Sequence, residues 1–363
     1  MKTTALLDLR LANQQLSVHN FTKPEEVVAW MGALQAQEYA QSQWAIGVRL
    51  PGLQDADIEQ AIAEQRITRT WCVRGTLHLV HADDVHWMLS LLAPRIISGA
   101  ASRYKNLELD EKTLKKTQTI LSRTLKNNEP LTRDELTAVF HKAGIEAKGE
   151  RLTHILYRAA MDQLICIGPK RGNTATCTLL HAPTAKPFKD RPAAVAELAK
   201  RYFLSHGPAT VNDFVLWSGL TITEARKGLE AVKPLLTSVT LQQKEYWMNA
   251  KQPAAAKPGL YCLPGFDEYV LGYEDRSHFL PAQHKNMVYT TNGIFNPVII
   301  HKGTIIATWQ RTFSKDNVIV TLKPFQPLPA ATLKKITTAL QPYASFCNKQ
   351  LSIMPIASLR RAK

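Results

Sequence analysis

The chain has little cysteine and none of it at metal-binding spacing. Five cysteines occur in 363 residues, Cys72, Cys166, Cys177, Cys262 and Cys347, with no Cys-x-x-Cys pair among them. An odd, scattered set argues against a disulfide framework or a zinc site and for buried thiols in a reducing cytosol. No apolar run approaches the ~18 residues of a membrane span. Met1-Lys2-Thr3-Thr4 lacks the charged-then-apolar layout of a secretory signal. These absences predict a soluble, unprocessed, cytoplasmic protein with no membrane partner. Also missing are a G-x-x-x-x-G-K-[ST] phosphate loop, H-E-x-x-H, G-x-S-x-G and a Gly-rich dinucleotide turn. Hydrolysis through a metal or a serine is disfavoured, and no cofactor is expected.

What is present is positive charge, unevenly spread. The formal net charge is +15, yet residues 1–100 carry 8 Lys/Arg against 10 Asp/Glu, while residues 101–363 carry 37 against 20. Such an excess favours a polyanionic partner, usually nucleic acid. At this length two to four packed units are expected.

One local pattern occurs three times: a helix, a capped second helix, a third helix and a hairpin. That is the order of a winged helix. In the first unit residues 4–15 read as a helix. Thr22-x-x-Glu25 reads as a capping box with Pro24 in the first turn, opening a helix through Val27, Trp30, Met31 and Leu34. Asp57 starts a third helix, and residues 70–73 and 76–80 alternate around Arg74-Gly75. The second unit repeats the box with Thr132 and Glu135, and its hairpin carries a basic tip, Pro169-Lys170-Arg171-Gly172-Asn173. The third uses Thr210 and Asp213, then Thr221 and Glu224. The predicted organisation is a first unit at 1–90, a helical insertion at 91–128, a second unit at 129–190 and a third at 191–250. A Pro/Ala/Lys linker at 251–258 precedes a C-terminal element at 259–363. There, strands at 269–271, 298–300, 304–309 and 317–322 predict a small antiparallel sheet or partial barrel. A late helix at 330–340 should stop before Gln341-Pro342. The fold class is α+β and helix-rich.

The unusual segment is Leu34-Gln35-Ala36-Gln37-Glu38-Tyr39-Ala40-Gln41-Ser42-Gln43-Trp44, with four glutamines in nine residues. In a continuous helix Gln35 and Gln37 would point about 200° apart. They can face one site only if the helix ends there and the backbone extends. By composition alone an ordinary polar helix end is the favoured reading of the segment.

Taken together, several motifs resemble the bacterial winged-helix DNA glycosylases of the AlkZ/YcaQ family. They are Leu34-Gln35-Ala36-Gln37, Arg74-Gly75-Thr76-Leu77-His78, Gly207-Pro208-Ala209-Thr210 with Trp217-Ser218-Gly219-Leu220, and Leu263-Pro264-Gly265-Phe266-Asp267-Glu268-Tyr269. Asn292-Gly293-Ile294-Phe295, Gly303 and Trp309-Gln310-Arg311 extend the likeness over nearly the whole chain. The resemblance implies three tandem winged helices plus a β-barrel-like element, C-shaped around damaged double-stranded DNA. It implies a monomer that excises N-alkylated purines, including some interstrand crosslinks. It also implies Gln35 and Gln37 as the catalytic pair. One branch of the family has Gln-apolar-Gln and the other Gln-apolar-Asp; this chain follows the first.

An amide takes no proton near neutral pH, so neither glutamine is an ordinary general base. Alkylation at N7 of guanine makes the base a cationic leaving group. The protein then needs mainly to hold water near the sugar carbon and to direct dipoles at the developing charge. Lys170 and Arg171 at the wing tip, with Arg69, Arg74 and Arg311, are the expected DNA-backbone contacts. Asp267, Glu268 and Arg276 are read as a buried ion network, and Trp71, Trp217 and Trp309 as core. The alternative function is a non-catalytic winged-helix DNA-binding protein or regulator.

Overall fold

A computed structural model describes residues 1–126, 129–183, 186–251 and 259–354. Helix α1 (Thr3–Asn13) leads into α2 (Pro24–Met31), β1 (Leu34–Gln35), α3 (Tyr39–Gly47), α4 (Asp55–Ala63), β2 (Ile67–Trp71) and β3 (Leu77–His81). Helices α5 (Ala82–Gly99) and α6 (Ala101–Asn106) follow. Then come α7 (Glu111–Lys126), β4 (Leu131–Thr132), α8 (Arg133–Lys142), α9 (Gly149–Met161), β5 (Ile165–Arg171) and β6 (Thr174–Leu179). The third set is α10 (Arg191–His206), α11 (Val211–Ser218), α12 (Ile222–Val232), β7 (Leu236–Leu241) and β8 (Lys244–Asn249). Here a single bridge, Ala209 to Trp247, stands where the other sets have a short strand. The order helix, strand, helix, helix, strand, strand therefore recurs three times. In the second set the leading helix is α7, inside the stretch read from sequence as an insertion.

The capping boxes at Thr132/Glu135, Thr210/Asp213 and Thr221/Glu224 all form. The first one shifts by a residue. Lys23 is the cap, and the Glu26 carboxylate accepts from the backbone N–H of both Thr22 and Lys23, each at 3.0 Å. Glu25 pairs with Arg66 instead. Helix α2 also stops earlier than expected, because Gly32 adopts φ 79°, which ends the helix before Leu34.

The first two sets join their strands edge to edge in one sheet of order β1-β3-β2-β5-β6-β4, and the seam is the pairing of Arg69 with Ile167. After β9 (Leu260–Leu263) come two short helices, α13 (Glu268–Leu271) and α14 (Lys285–Val288). Strands β10 (Val298–His301), β11 (Thr304–Phe313) and β12 (Asn317–Pro324), helix α15 (Ala330–Phe346) and β13 (Gln350–Met354) complete the fold. Their sheet has the open order β13-β12-β11-β10-β9, antiparallel except that β13 runs parallel to β12. It is a mixed open sheet rather than an antiparallel barrel. Residues 269–271, expected as a strand, are helical because Asp267 caps that turn through the Tyr269 N–H. Helix α15 runs on through Pro342 to Phe346, held by Tyr343 and Phe346 packing on Trp44. Tertiary packing overrides the proline there. Of the linker at 251–258, residues 252–258 lie outside the described residues, as do the last two positions of the expected insertion.

The cores do not follow the sequence blocks. One packs α1, α5 and the third set against Leu263, Tyr269 and Val298. A second packs the first set against Trp309, Val320 and Tyr343 of the C-terminal sheet and helix. The second set has its own. Among the described residues no helix is long and apolar enough to cross a membrane. All five cysteines are free.

Candidate active site

Strand β1 pairs with β3, Leu34 opposite Leu79 and Gln35 opposite His78, and Ala36 N–H continues the ladder to Leu77 O at 2.7 Å. Extended backbone alternates faces with a period of two. Leu34 and Ala36 are fully buried in the core, while Gln35 and Gln37 share the other face. Gln35 is 7% exposed and Gln37 is exposed. The Gln35 amide donates to Gln37 Oε1 at 2.5 Å. The condition set by the sequence, a helix that ends and a chain that extends, is the arrangement found.

Charges of opposite sign hold this segment from behind. Glu268 Oε1 accepts from the Gln35 backbone N–H at 3.2 Å, and its Oε2 accepts from Trp217 Nε1 at 2.9 Å, with His206 Nε2 at 3.5 Å. Burial raises the Glu268 pKa, but the hydrogen bond and charge of His206, with His78 and Arg74 behind, outweigh burial and hold it below the usual range. The carboxylate is therefore ionised. Arg69 donates to Ala36 O at 2.9 and 3.3 Å, and its guanidinium lies 4.6 Å over the Tyr39 ring. Arg74 donates from Nη2 to Gln35 Oε1 at 3.1 Å and from Nη1 to Trp217 O at the end of α11. Burial lowers the pKa of both arginines.

Motifs far apart in sequence thus meet at one point. The Leu263–Tyr269 turn supplies Glu268, the Trp217–Leu220 turn supplies Trp217, and Arg74–His78 supplies Arg74 and His78. Gln41 Oε1 accepts from Gly265 N–H at 2.7 Å, so this third glutamine of the run serves that turn. Gln43 serves Glu59, donating at 3.1 Å.

Not every expected contact falls here. Arg69 (8% exposed) is turned inward and Arg74 is half-buried, and both spend donors on the glutamine segment, Arg69 on Ala36 O and Arg74 on Gln35 Oε1. Lys170 reaches back to Glu59 at 3.8 Å and sits 4.1 Å over Tyr39. Arg171 folds onto its own unit, donating to Glu135 and to Pro130 O at 2.6 Å. The Arg171–Glu135 hydrogen bonds, with those from Thr132, hold the Glu135 pKa down at about 2. Arg311 pairs with Glu38 at 2.7 Å, beside Gln37. Of the expected ion network, Asp267 holds Arg49, Glu268 holds the glutamine segment, and Arg276 stands apart. Arg276 donates to Val270 O at 2.7 Å and stacks over Tyr289. Trp217 and Trp309 are core, as expected, and Trp71 is half-buried. The supporting roles of His78 and Trp217 carried no signal in composition or spacing beyond the motifs that contain them.

His78 couples folding stability to pH. Burial first, and the Arg74 charge second, push its pKa down to about 4. Its Nδ1–H donates to Thr76 O at 2.8 Å, and a pKa held that low leaves the ring neutral at pH 7. Unfolded, it titrates near 6.5. Between these values the unfolded chain binds more protons, so this stability is complete above about 6.5 and is lost as pH falls toward about 4. From pH 7 to 4.5 the urea-unfolding free energy should fall by about 2–3 kcal/mol more in the wild type than in His78→Asn. Equal losses in the two proteins would assign the acid sensitivity elsewhere.

Comparison with known proteins identifies this molecule as a DNA glycosylase. The chain belongs to the AlkZ-like DNA glycosylase family, whose profile matches residues 28–346. An interstrand DNA cross-link repair glycosylase from Streptomyces sahachiroi is 26% identical over 351 residues, covering 90% of this chain and 92% of its own length. The solved structure of the Streptomyces sahachiroi DNA glycosylase AlkZ shares the fold, with a TM-score of 0.78 at 23% identity over 98% of this chain and 99% of that one.

Proposed function

We propose that the enzyme hydrolyses the N-glycosidic bond of cationic N-alkylated purines, of the N7-alkylguanine type, in double-stranded DNA. Gln35 and Gln37 position the water. The observation that carries this reading is the hydrogen-bonded glutamine pair on one face of an extended strand, exposed at Gln37 and braced from behind by buried charges. The C1′–N9 bond breaks with its electron pair going to the base, which cancels the positive charge of the base. Water adds to C1′ and its proton passes to solvent, leaving an abasic sugar and a neutral alkylated base. Each glutamine carbonyl has two lone pairs and spends one inside the protein. The other can accept from water. Unmodified purines, being neutral, leave poorly and should be poor substrates.

The substrate range includes interstrand crosslinks; the cross-link repair relative, similar over nine-tenths of this chain, supports this. The three recurring units are winged helices that curve in a C around the duplex, with the C-terminal sheet as a fourth element. The enzyme acts as a monomer in the bacterial cytosol. With Lys170, Arg171 and Arg311 engaged by carboxylates, the exposed cations of α7, Lys112, Lys115, Arg123 and Lys126, are better placed for phosphate contacts.

The test is an oligonucleotide duplex carrying one 7-methylguanine, with base release read as alkali-cleavable abasic sites. Gln37→Ala should bind DNA like the wild type and release base roughly 10²-fold more slowly. A Gln37→Ala enzyme of wild-type rate would move the reaction away from the pair. A wild type that binds but never releases base, from monoadduct or crosslink, would favour a non-catalytic binder.

A further inference from the structure

We infer that Arg74 is a positioning residue of the reaction, its guanidinium deciding which way the Gln35 amide faces and, through it, which atoms Gln37 presents to the substrate. This rests on the glutamine reading above. The oxygen and nitrogen ends of a glutamine amide are nearly equal in shape, so partners decide the orientation. A guanidinium has five donors, no acceptor, and keeps its proton. The Gln35 atom 3.1 Å from Arg74 Nη2 must therefore be Oε1. That turns Gln35 Nε2 toward Gln37, and the Gln37 atom receiving it must again be an acceptor, Oε1, at 2.5 Å. One fixed cation thus orients two amides in series. Gln37, the exposed member, is left with its NH₂ group and one oxygen lone pair facing outward.

The cation is itself held in place. Arg74 Nη1 donates to Trp217 O, which anchors it to the end of α11. Its backbone sits in the left-handed region at φ 54°, followed by Gly75 at φ 75°. Side chains other than glycine, asparagine and aspartate seldom adopt such a conformation, and where they do it is often at functional sites. A Cβ on Gly75 would come 2.4 Å from Tyr157 Oη and 3.1 Å from Ile96 Cγ2, and with φ at 75° a side chain there would be strained. Remove the guanidinium and either amide can reverse, placing a donor where the water needs an acceptor.

Single-turnover base release from the 7-methylguanine duplex, at saturating enzyme, tests this. Arg74→Met should slow release about 10²-fold, the scale of a ~1 Å misplacement, with the DNA Kd within about threefold. Arg74→Lys, which keeps the charge, should still lose at least about tenfold, because a rotating ammonium does not reproduce a planar fork. It also serves if Arg74→Met fails to fold. Since Arg74 acts through Gln35, Arg74→Met/Gln35→Ala should fall no further than Gln35→Ala alone. Wild-type rates in both Arg74 variants, or losses that multiply in the double variant, would overturn the inference. If Gln37→Ala is inactive while the Arg74 variants are active, this inference alone fails. If Gln37→Ala is fully active, the glutamine reading fails with it.

Discussion

Arg49→Met should lose about 3–5 kcal/mol of folding stability, the scale of breaking a buried ion pair by removing one partner. Arg49 is a central tie of the fold, and its side chain has no solvent exposure. All five of its N–H donors are matched. Nη1 donates to Asp267 Oδ2 at 2.7 Å and to Ala45 O at 2.9 Å. Nη2 donates to Asp267 Oδ1 at 2.9 Å and to Gln14 Oε1 at 3.0 Å, and Nε donates to Gln14 O at 3.0 Å. These bonds join the end of α1, helix α3 and the turn that presents Glu268 to Gln35. Methionine would leave Asp267 charged, buried and short of partners. Against a typical total of about 5–15 kcal/mol, that is a large fraction. Urea unfolding measures it. Arg49→Lys should also lose stability heavily, since three donors on a point charge cannot serve five positions. Arg49→Met/Asp267→Leu should recover part of the loss, because both charges leave the interior together. An unchanged urea midpoint in Arg49→Met would show that the tie contributes nothing net.

What could be read in the sequence depended on how local its cause was. The boxes at Thr132, Thr210 and Thr221 involve residues three apart, and each formed where expected. Helix α2 ended early on a local cause as well, the positive φ of Gly32, which the run of apolar residues through Leu34 masked. Misreadings cluster where distant packing decides. Nothing near Pro342 says that Trp44 and Trp309 will hold the last turn of α15 in place. Nothing near residues 269–271 says that Asp267, already committed to Arg49, also caps a helical turn. The parallel pairing of β13 with β12 needs α15 as its crossover, a long-range condition invisible to alternation.

The same distinction runs through the site. That Gln35 and Gln37 could share one face was legible only on the condition that the chain extends there, and their pairing as a site came from the family resemblance rather than from local pattern. The cations were not legible, because charge says nothing about direction. Arg69 lies at the seam of two strand sets, where its side chain finds Ala36 O before it finds solvent. Lys170 and Arg171 sit on a hairpin whose neighbours include Glu59 and Glu135, so the charge at its tip is partly spent within the protein.

Glu268→Gln should slow base release about 10²–10³-fold, the range seen when a preorganised electrostatic partner is removed. The carboxylate is fully buried, and its two oxygens accept from the Gln35 N–H and from Trp217 Nε1. In the proposed reaction, its charge balances Arg74 behind the sugar on which positive charge develops. An amide preserves the shape and one acceptor, but sets an NH₂ group against another N–H and removes the negative charge. Arg74 would then face the nascent cation uncompensated. One unsatisfied buried donor costs about 1–3 kcal/mol, so stability should fall as well. Because burial opposed by His206, His78 and Arg74 leaves the Glu268 pKa below that of an unfolded glutamate, its contribution is complete above the unfolded value and is lost as pH falls through the lowered one. Glu268→Gln should therefore flatten the acid limb of the stability curve. Arg74→Met/Glu268→Gln separates charge from geometry: restored stability without restored rate would show that the ion balance holds the fold while the amide orientation drives the chemistry. Glu268→Gln releasing base at the wild-type rate would mean that the buried carboxylate only supports the strand.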